Sequence, residues 1–459
     1  MMNKYSKAFI LLVVLILLNI GLNRLNKRFD LTADKRYTLS ETTKTIVNNI
    51  EEALIIKVYL QGDFPSEFKR LQTETRQHLQ ELKSLNNQIK FRFIDPLDQV
   101  EDLINQGLQP SRLSVQEDGK VSEAIIFPWA TVVYKDRKEN INLLSGQSQN
   151  SQEEQLQGAI QNLEYAFSDA LHKISTDKQQ TIAVLKGNGE LNDMYLASFL
   201  KKLSEYYRLA PFTLDSVARN PQQTLQNLTA YDLAIIAKPT EKFSEQEKFT
   251  IDQFITNGGK SLWLIDNVVA ELDSLMQNGQ SLAFNRDLGI TDLLFSYGVR
   301  LNFDLVKDMY SSTIRLAAGQ VGNQTQFQDF LWQYYPVITS KNNHPITTNT
   351  EPVNLKFANS IDTLKNNIKK SILLQSSALS KPIGVPSIIS LEEVAKKPLP
   401  QDYNDGNKIV GVLLEGSFRS AYANRIKPFE TNLLKEQSSP NKMIIIADGD
   451  IIANQVHQG

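Results

Sequence analysis

The segments that most constrain this chain are short, almost wholly apolar, and end abruptly. Thr181–Leu185 (TIAVL), Tyr231–Ala237 (YDLAIIA), Ser261–Ile265 (SLWLI) and Lys442–Ala447 (KMIIIA) barely alternate between polar and apolar residues. A strand with one face in water alternates, whereas a strand covered on both faces reads as a continuous apolar run. Amphipathic helices lie between the first three runs. Asp193–Tyr206 is one, and Ser244–Asn257 is another, with Phe249, Phe254 and Ile255 inward. The second stops at Gly258–Gly259, where a residue free to take positive φ closes a helix. Buried strands alternating with such helices imply an α/β fold with a mainly parallel sheet covered on both sides.

The same reading extends over the rest of the 459 residues, a length that suggests about three domains. From Asp30 to Thr176, the pattern runs strand (Leu54–Leu60), helix (Ser66–Leu85) and strand (Ile89–Ile94). A hairpin follows, Glu123–Tyr134 with Asn140–Leu144 around Lys135–Asp136–Arg137, then a helix with Leu156, Ile160, Leu163, Phe167, Leu171 and Ile174 on one face. Thr38-Leu39-Ser40-Glu41 fits a capping box before Ile46 and Ile50. This order is thioredoxin-like. Residues 177–310 form the parallel α/β domain, and 311–354 read as a linker or insertion holding a cluster of Phe327, Phe330, Trp332, Tyr334 and Tyr335. Residues 355–459 continue or duplicate the sheet, with strands at Ser371–Gln375, Lys408–Leu414 and Lys442–Ala447.

Residues 1–29 differ from all of this. Ala8–Leu22 carries no charge and is flanked by Lys4 and Lys7 before it and Arg24, Lys27 and Arg28 after it. A spanning helix takes about 17–25 apolar residues, and a slightly short one is tolerated by snorkelling and bilayer thinning. A cleaved signal would need a small-x-small site, and Asn19-Ile20-Gly21-Leu22-Asn23-Arg24-Leu25 offers none. The segment therefore reads as an uncleaved N-terminal membrane anchor. Basic residues on its two sides nearly balance, so they do not set its orientation.

Composition narrows the function. A net charge of −2 gives no electrostatic case for nucleic-acid binding. The absence of cysteine removes disulfides, thiolate metal sites and a thioredoxin-type redox pair together. The histidines, His78, His172, His344 and His457, are scattered, with the first two placed on solvent-facing helix surfaces. Asp448–Gly449–Asp450, with Asp402 and Asp405, lacks the spacing of a calcium loop, so no metal site or cofactor is assigned. No G-x-S-x-G elbow occurs, and no catalytic residue is assigned.

One stretch has the placement of a ligand site. Gly187, Asn188, Gly189 and Glu190 lie where a strand hands over to a helix, the usual edge for a crevice in an open α/β sheet. Glycines there let backbone amides approach a ligand, and Glu190 can accept a hydroxyl. The same residues also make a plain tight turn, and they lack the GxxxxGK[ST] pattern of a phosphate loop. Together with Asp266, at the end of another strand, they form the candidate ligand-binding set.

Several of these stretches also carry a resemblance. YDLAIIAKPTEKFSEQEKFTIDQFITNGGKSLWLIDNV, from Tyr231 to Val268, resembles the auxiliary-subunit domain of certain ABC transport systems. The anchor, FIDP at Phe93–Pro96, FPWA at Phe127–Ala130 and NLEYAF at Asn162–Phe167 are similar to the GldG family of gliding-motility auxiliary proteins. The 177–310 domain is also similar to the class I glutamine amidotransferase-like (flavodoxin-like) fold, whose enzymes use a cysteine that this chain lacks. The resemblance implies a non-enzymatic subunit held in the bacterial inner membrane beside an ABC permease and ATPase. It places the body in the periplasm and the role in Bacteroidetes-type gliding and associated secretion. It further implies a second hydrophobic span beyond Gly459. The alternative is a periplasmic module binding a cell-envelope glycan or peptide near Gly187–Glu190.

Overall fold

The computed structural model describes residues 39–62, 66–117, 120–144, 152–322, 324–339, 344–348 and 350–456. The expected anchor Ala8–Leu22, Thr38 and His457 lie outside them. No helix among the described residues is long and apolar enough to cross a membrane. The chain divides into two compact units, Met1–Asp177 and Lys178–Gly459. Both are mixed α/β.

In the first unit, helix α1 (Glu41–Asn48) begins at Ser40, whose hydroxyl accepts from Thr43 N at 3.2 Å. The expected box partner Glu41 does not close this cap. Glu164, from a helix over a hundred residues later, takes the Ser40 amide at 2.7 Å and the Thr43 hydroxyl at 2.6 Å. Strand β1 (Leu54–Val58), helix α2 (Ser66–Leu85) and strand β2 (Ile89–Phe93) follow, with β1 and β2 parallel. Past Asp95–Pro96 comes a short helix α3 (Val100–Asn105), then β3 (Ser111–Glu117) pairs with β4 (Lys120–Ile126) as a hairpin of their own. The expected long strand from Glu123 thus breaks at Phe127–Pro128, since proline cannot donate to a ladder. A second hairpin, β5 (Trp129–Tyr134) and β6 (Arg137–Asn142), gives the sheet order β2-β1-β5-β6. Helices α4 (Gln152–Gln161) and α5 (Leu163–Ser175) complete the unit. Alternation along β1 sends Leu54, Ile56 and Val58 into one core with Leu71, Leu79 and Leu82 of α2 and Phe167, Leu171 and Ile174 of α5. His78 is not solvent-facing as expected. Its ring lies 5.6 Å from that of Phe167, and burial lowers its pKa to about 4, against the opposing pull of Glu164.

The second unit is built on a nine-stranded sheet. Strands β7 (Thr181–Lys186), β8 (Arg208–Thr213), β9 (Leu233–Ala237) and β10 (Lys260–Leu264) alternate with helices α6 (Asp193–Ser204), α7 (Pro221–Leu228) and α8 (Glu245–Thr256). All four strands run parallel, in the order β8-β7-β9-β10. The chain then leaves the sheet. Strand β11 (Val268–Val269), helix α9 (Leu272–Asn278) and strand β12 (Gln280–Asn285) come first. Helix α10 (Thr291–Tyr297) follows, then strand β13 (Val299–Leu301), which forms the far edge of the nine-stranded sheet, and strand β14 (Asp304–Asp308), which lies off it.

Within 311–354, expected as a linker or insertion, the chain forms a long hairpin, β15 (Ser311–Val321) with β16 (Gln324–Ile338). At its base Trp332, Tyr334 and Tyr335 are buried as a cluster with Phe357. Phe327 is not part of that cluster. It lies on the projecting half of the hairpin, 56% exposed, as does Leu331 at 55%.

The last segment returns to the sheet. Short strands β17 (Val353–Asn354) and β18 (Ile361–Thr363) precede β19 (Lys369–Gln375), β20 (Ser380–Gly384) and β21 (Ser387–Ser390). Strand β22 (Ile409–Gly416) lies antiparallel to β23 (Asn441–Ile446), and β23 enters parallel beside β10. The two halves therefore share one sheet rather than each having its own. Its core joins Ala183, Ile236, Trp263, Val412 and Ile445.

Helix α8 is enclosed on all sides. Ser244 and Glu247 form a full capping box, Gly258 at φ 111° ends the helix, and every residue from Lys248 to Thr256 is buried. The loop between β22 and β23 covers its outer face. Asp252 carboxylate oxygens accept from the Ser420 hydroxyl at 2.5 Å, the Tyr297 hydroxyl at 2.7 Å, Ala421 N at 2.8 Å and Gln253 Nε2 at 3.0 Å.

Candidate functional site

The carboxyl ends of β7, β9, β10 and β23 lie along one edge of the sheet. Strands β7 and β9 are neighbours, but β7 leads to β8 on its far side and β9 leads to β10 on the other. That reversal is the switch point at which an open α/β sheet leaves a crevice. Gly187–Glu190 sits there, as the sequence places it.

The crevice is filled by the chain itself. Thr240 N and Glu241 N both donate to the Asn188 carbonyl at 2.9 Å, and Leu191 N donates to the Ala237 carbonyl at 3.0 Å. Gly187 and Gly189 take φ of 114° and 72°, and a Cβ on Gly189 would fall 2.0 Å from Thr240 Oγ1. The glycines thus serve close packing of two loops. Gly189→Ala is expected to cost about 1–3 kcal/mol from the left-handed backbone and the clash together; an unchanged thermal midpoint would refute this reading of the turn.

Glu190 curls back so that its Oε2 accepts from Asn188 N at 2.8 Å. Burial pushes its carboxyl above the usual range, and nearby Glu247 adds to the shift, while Lys186 and the amides oppose it. Glu190 Oε1 and the side-chain oxygen of buried Asn188 have no partner among the described residues. Asn188 Nδ2 donates to Glu247 Oε2 at 3.4 Å.

Asp266 belongs to a different group on the same edge. Its centre is Lys238, which follows β9 at φ 53°. The buried Lys238 Nζ lies 2.7 Å from Asp450, 3.2 Å from Glu271 and 3.4 Å from Asp266. Gly449 N donates to Asp266 Oδ1 at 2.6 Å, while Asp448 accepts from Lys356 N at 2.5 Å and Asp450 N at 2.7 Å. A Cβ on Gly449 would fall 2.5 Å from Lys238 Cγ, so only glycine lets this loop close over the lysine.

The electrostatics follow from this crowding. Burial works against the Lys238 charge, but Asp266, Asp450 and Glu271 outweigh it and hold the ammonium above its ordinary pKa. Burial pushes Asp266 up to about 6 despite Lys238. Burial, then Asp266 and Asp450, push Asp448 well above the carboxylate range. A lysine held charged has no lone pair for attack or proton abstraction. These carboxylates are not placed to ligate a metal ion, and no such group occurs among the described residues. The arrangement braces three strand ends and the loop after β10. A cavity of about 1260 Å³ lies elsewhere, beside Tyr310, Val337, Lys370 and Leu379.

A family described as an ABC-type uncharacterized transport system, its auxiliary component, matches residues 179–459. The chain belongs to that family. Residues 33–133 match a domain of unknown function, DUF7088. An uncharacterized protein of Borreliella burgdorferi is 21% identical over 436 residues, 93% of this chain and 77% of that one. Among solved structures, the mmIFT52 N-terminal domain is similar at 14% identity over 60% of this chain and 89% of its own, with a TM-score of 0.35, too low to argue from. Membership makes this ABC transporter auxiliary protein a component of a transport system, and it suggests a non-enzymatic role.

Sequence reasoning missed Lys238, which it passed over between a strand and Pro239. The available signal was positional. In a parallel sheet every strand's last residue reaches the same edge, so Lys238, Asp266 and Asp448–Asp450, each just past a buried strand, belong together.

Proposed function

We infer that this auxiliary protein is a non-catalytic docking subunit, anchored by Ala8–Leu22 and holding its body outside the inner membrane beside an ABC permease and ATPase. The sequence resemblance to the GldG family supports a role in gliding motility and associated secretion. The first unit's β2-β1-β5-β6 order supports a thioredoxin-like reading, and the parallel strands β7–β10 support an amidotransferase-like one. The observation that carries the proposal is the switch-point edge. Where an enzyme of such a fold would keep a reactive group, this chain has loops bonded to each other and a lysine locked among carboxylates. Affinity purification of the tagged full chain from detergent-solubilised membranes tests it. A multi-span permease and an ATPase should be recovered in stoichiometric amounts, and recovery of neither would sink the proposal.

A second reading, a periplasmic module for an envelope glycan or peptide, rests on the buried, orphaned oxygens of Asn188 and Glu190, and it requires the Thr240–Glu241 loop to open.

A further inference from the structure

The outer half of the β15–β16 hairpin, residues 317–320 and 324–329, is exposed throughout. Natural sheets blunt their edges with charge, proline or bulges, because an open edge offers a row of unpaired amides and carbonyls to any other strand. A two-stranded ribbon alone is also only marginally stable. Here residues 316–328 carry no charge and no proline. Strand β15 is interrupted by a register shift between Ala317 and Gly319, but β16 is regular from Gln324 to Leu331. Its outer edge meets β17 only at Val337 and Ile338, and among the described residues no other strand pairs with 324–331.

We propose that β16 pairs, along Gln324–Phe330, with the same strand of a second copy of this chain. The seven residues QTQFQDF, Gln324–Phe330, pair with themselves when read antiparallel about Phe327. Directly opposite residues in an antiparallel pair share a face, so a two-fold axis of this kind passes through a residue position. Centred on Phe327, it sets Phe327 against its mate and Gln326 against Gln328. The edge's single charge, Asp329, then faces Thr325 of the second copy. Centred on Asp329 it would oppose two carboxylates, which is unfavourable. The aromatic pair and amide pairs are those that stabilise cross-strand contacts. Four strands in the order β15-β16-β16-β15 would replace two marginal ribbons. This proposal is independent of the transporter reading, since it concerns the isolated protein and either can fail alone.

The test uses the full chain in mild detergent, exploiting its lack of cysteine. Phe327→Cys should cross-link to its mate under copper-catalysed air oxidation. Ala317→Cys, opposite Phe327 across the hairpin, would stand three strand spacings from its mate, about 14 Å, and should not. Phe327→Lys should raise the dimer dissociation constant about tenfold or more by setting like charges face to face, whereas Thr325→Lys, facing Asp329, should lower it. Both sites are exposed, so the folded unit tolerates the changes, as unaltered circular dichroism would verify. A wild-type chain that sediments as a monomer at every concentration up to its solubility limit would overturn the proposal. So would a dimer indifferent to Phe327→Lys, or equal cross-linking of the two cysteine variants.

Discussion

Replacing Lys238 with alanine should lower the stability of the second unit by about 3–5 kcal/mol at neutral pH, because it strands buried carboxylates without their counter-ion. Lys238 is 8% exposed, so the screening that makes surface pairs weak does not apply. The loss should also depend on pH in a definite direction. In the folded protein burial raises Asp266 to about 6, whereas an unfolded aspartate titrates near roughly 3.9. The folded state therefore binds the proton more tightly. As pH rises from about 4 to about 6, stability falls by roughly 3 kcal/mol, and below that window the full benefit of protonation is present. Without Lys238 the carboxylates resist ionisation further, so the variant should lose most near pH 8 and recover toward pH 5. Urea titrations of the full chain, followed by deuterium exchange of β9 and β10 amides, would measure this. A loss below about 1 kcal/mol, or one flat with pH, would show that the cluster is not a brace.

Asp252→Ala should cost a similar amount, about 3–4 kcal/mol, since each of four donors around it loses a charged acceptor inside the protein. The effect should be local as well as global. Ser420 and Ala421 belong to the loop over α8, which is further held by Gln253 through Lys435 N at 2.8 Å and by Asn257 Nδ2 through the Leu433 carbonyl at 2.8 Å. Freed from Asp252, that loop should become the first site of proteolysis, cut between Arg419 and Lys435. Asp252→Asn should fall between, because an amide oxygen can still accept from Ala421 N and Tyr297, while its NH2 then faces the Ser420 hydroxyl and the donor Gln253 Nε2. If limited proteolysis of Asp252→Ala matched the wild type, the carboxylate would not be the fastening of the loop.

The elements that were legible in sequence share a physical cause. Strands β7, β9, β10 and β23 could be read to within a residue or two because both faces are covered, so their central positions are apolar in succession. Helix α8 was legible from its inward Phe249, Phe254 and Ile255 and from its stop at Gly258–Gly259; its Ser244–Glu247 capping box emerges only in the structure. The hairpin at 311–338 was harder: its outer half is solvated on both faces, so Gln, Thr and Gly fill it and mimic a linker. Even so, Phe330, Trp332 and Tyr334 carry the two-residue period of a strand. Buried His78 was misplaced because one polar residue on an amphipathic helix looks the same whether it faces water or a neighbouring ring. For the site, Gly187–Glu190 was found where a fold of this kind puts its crevice, but its closure by Thr240 and Glu241 depends on a contact fifty residues away. Pairing of Asp266 with Lys238 and Asp450 depends on which strands are neighbours, and no local pattern records that.

The shared sheet has a consequence for how the chain is made. Strand β10 pairs on one side with β9, close in sequence, and on the other with β23, more than 180 residues later. Loop closure over such a span is slow, and a parallel strand waiting for its neighbour presents an apolar edge. During synthesis the β7–β10 half must therefore persist with that edge open until Asn441–Ile446 arrives. A chain interrupted before Asn441 would be a substrate for chaperones and proteases rather than a smaller working protein.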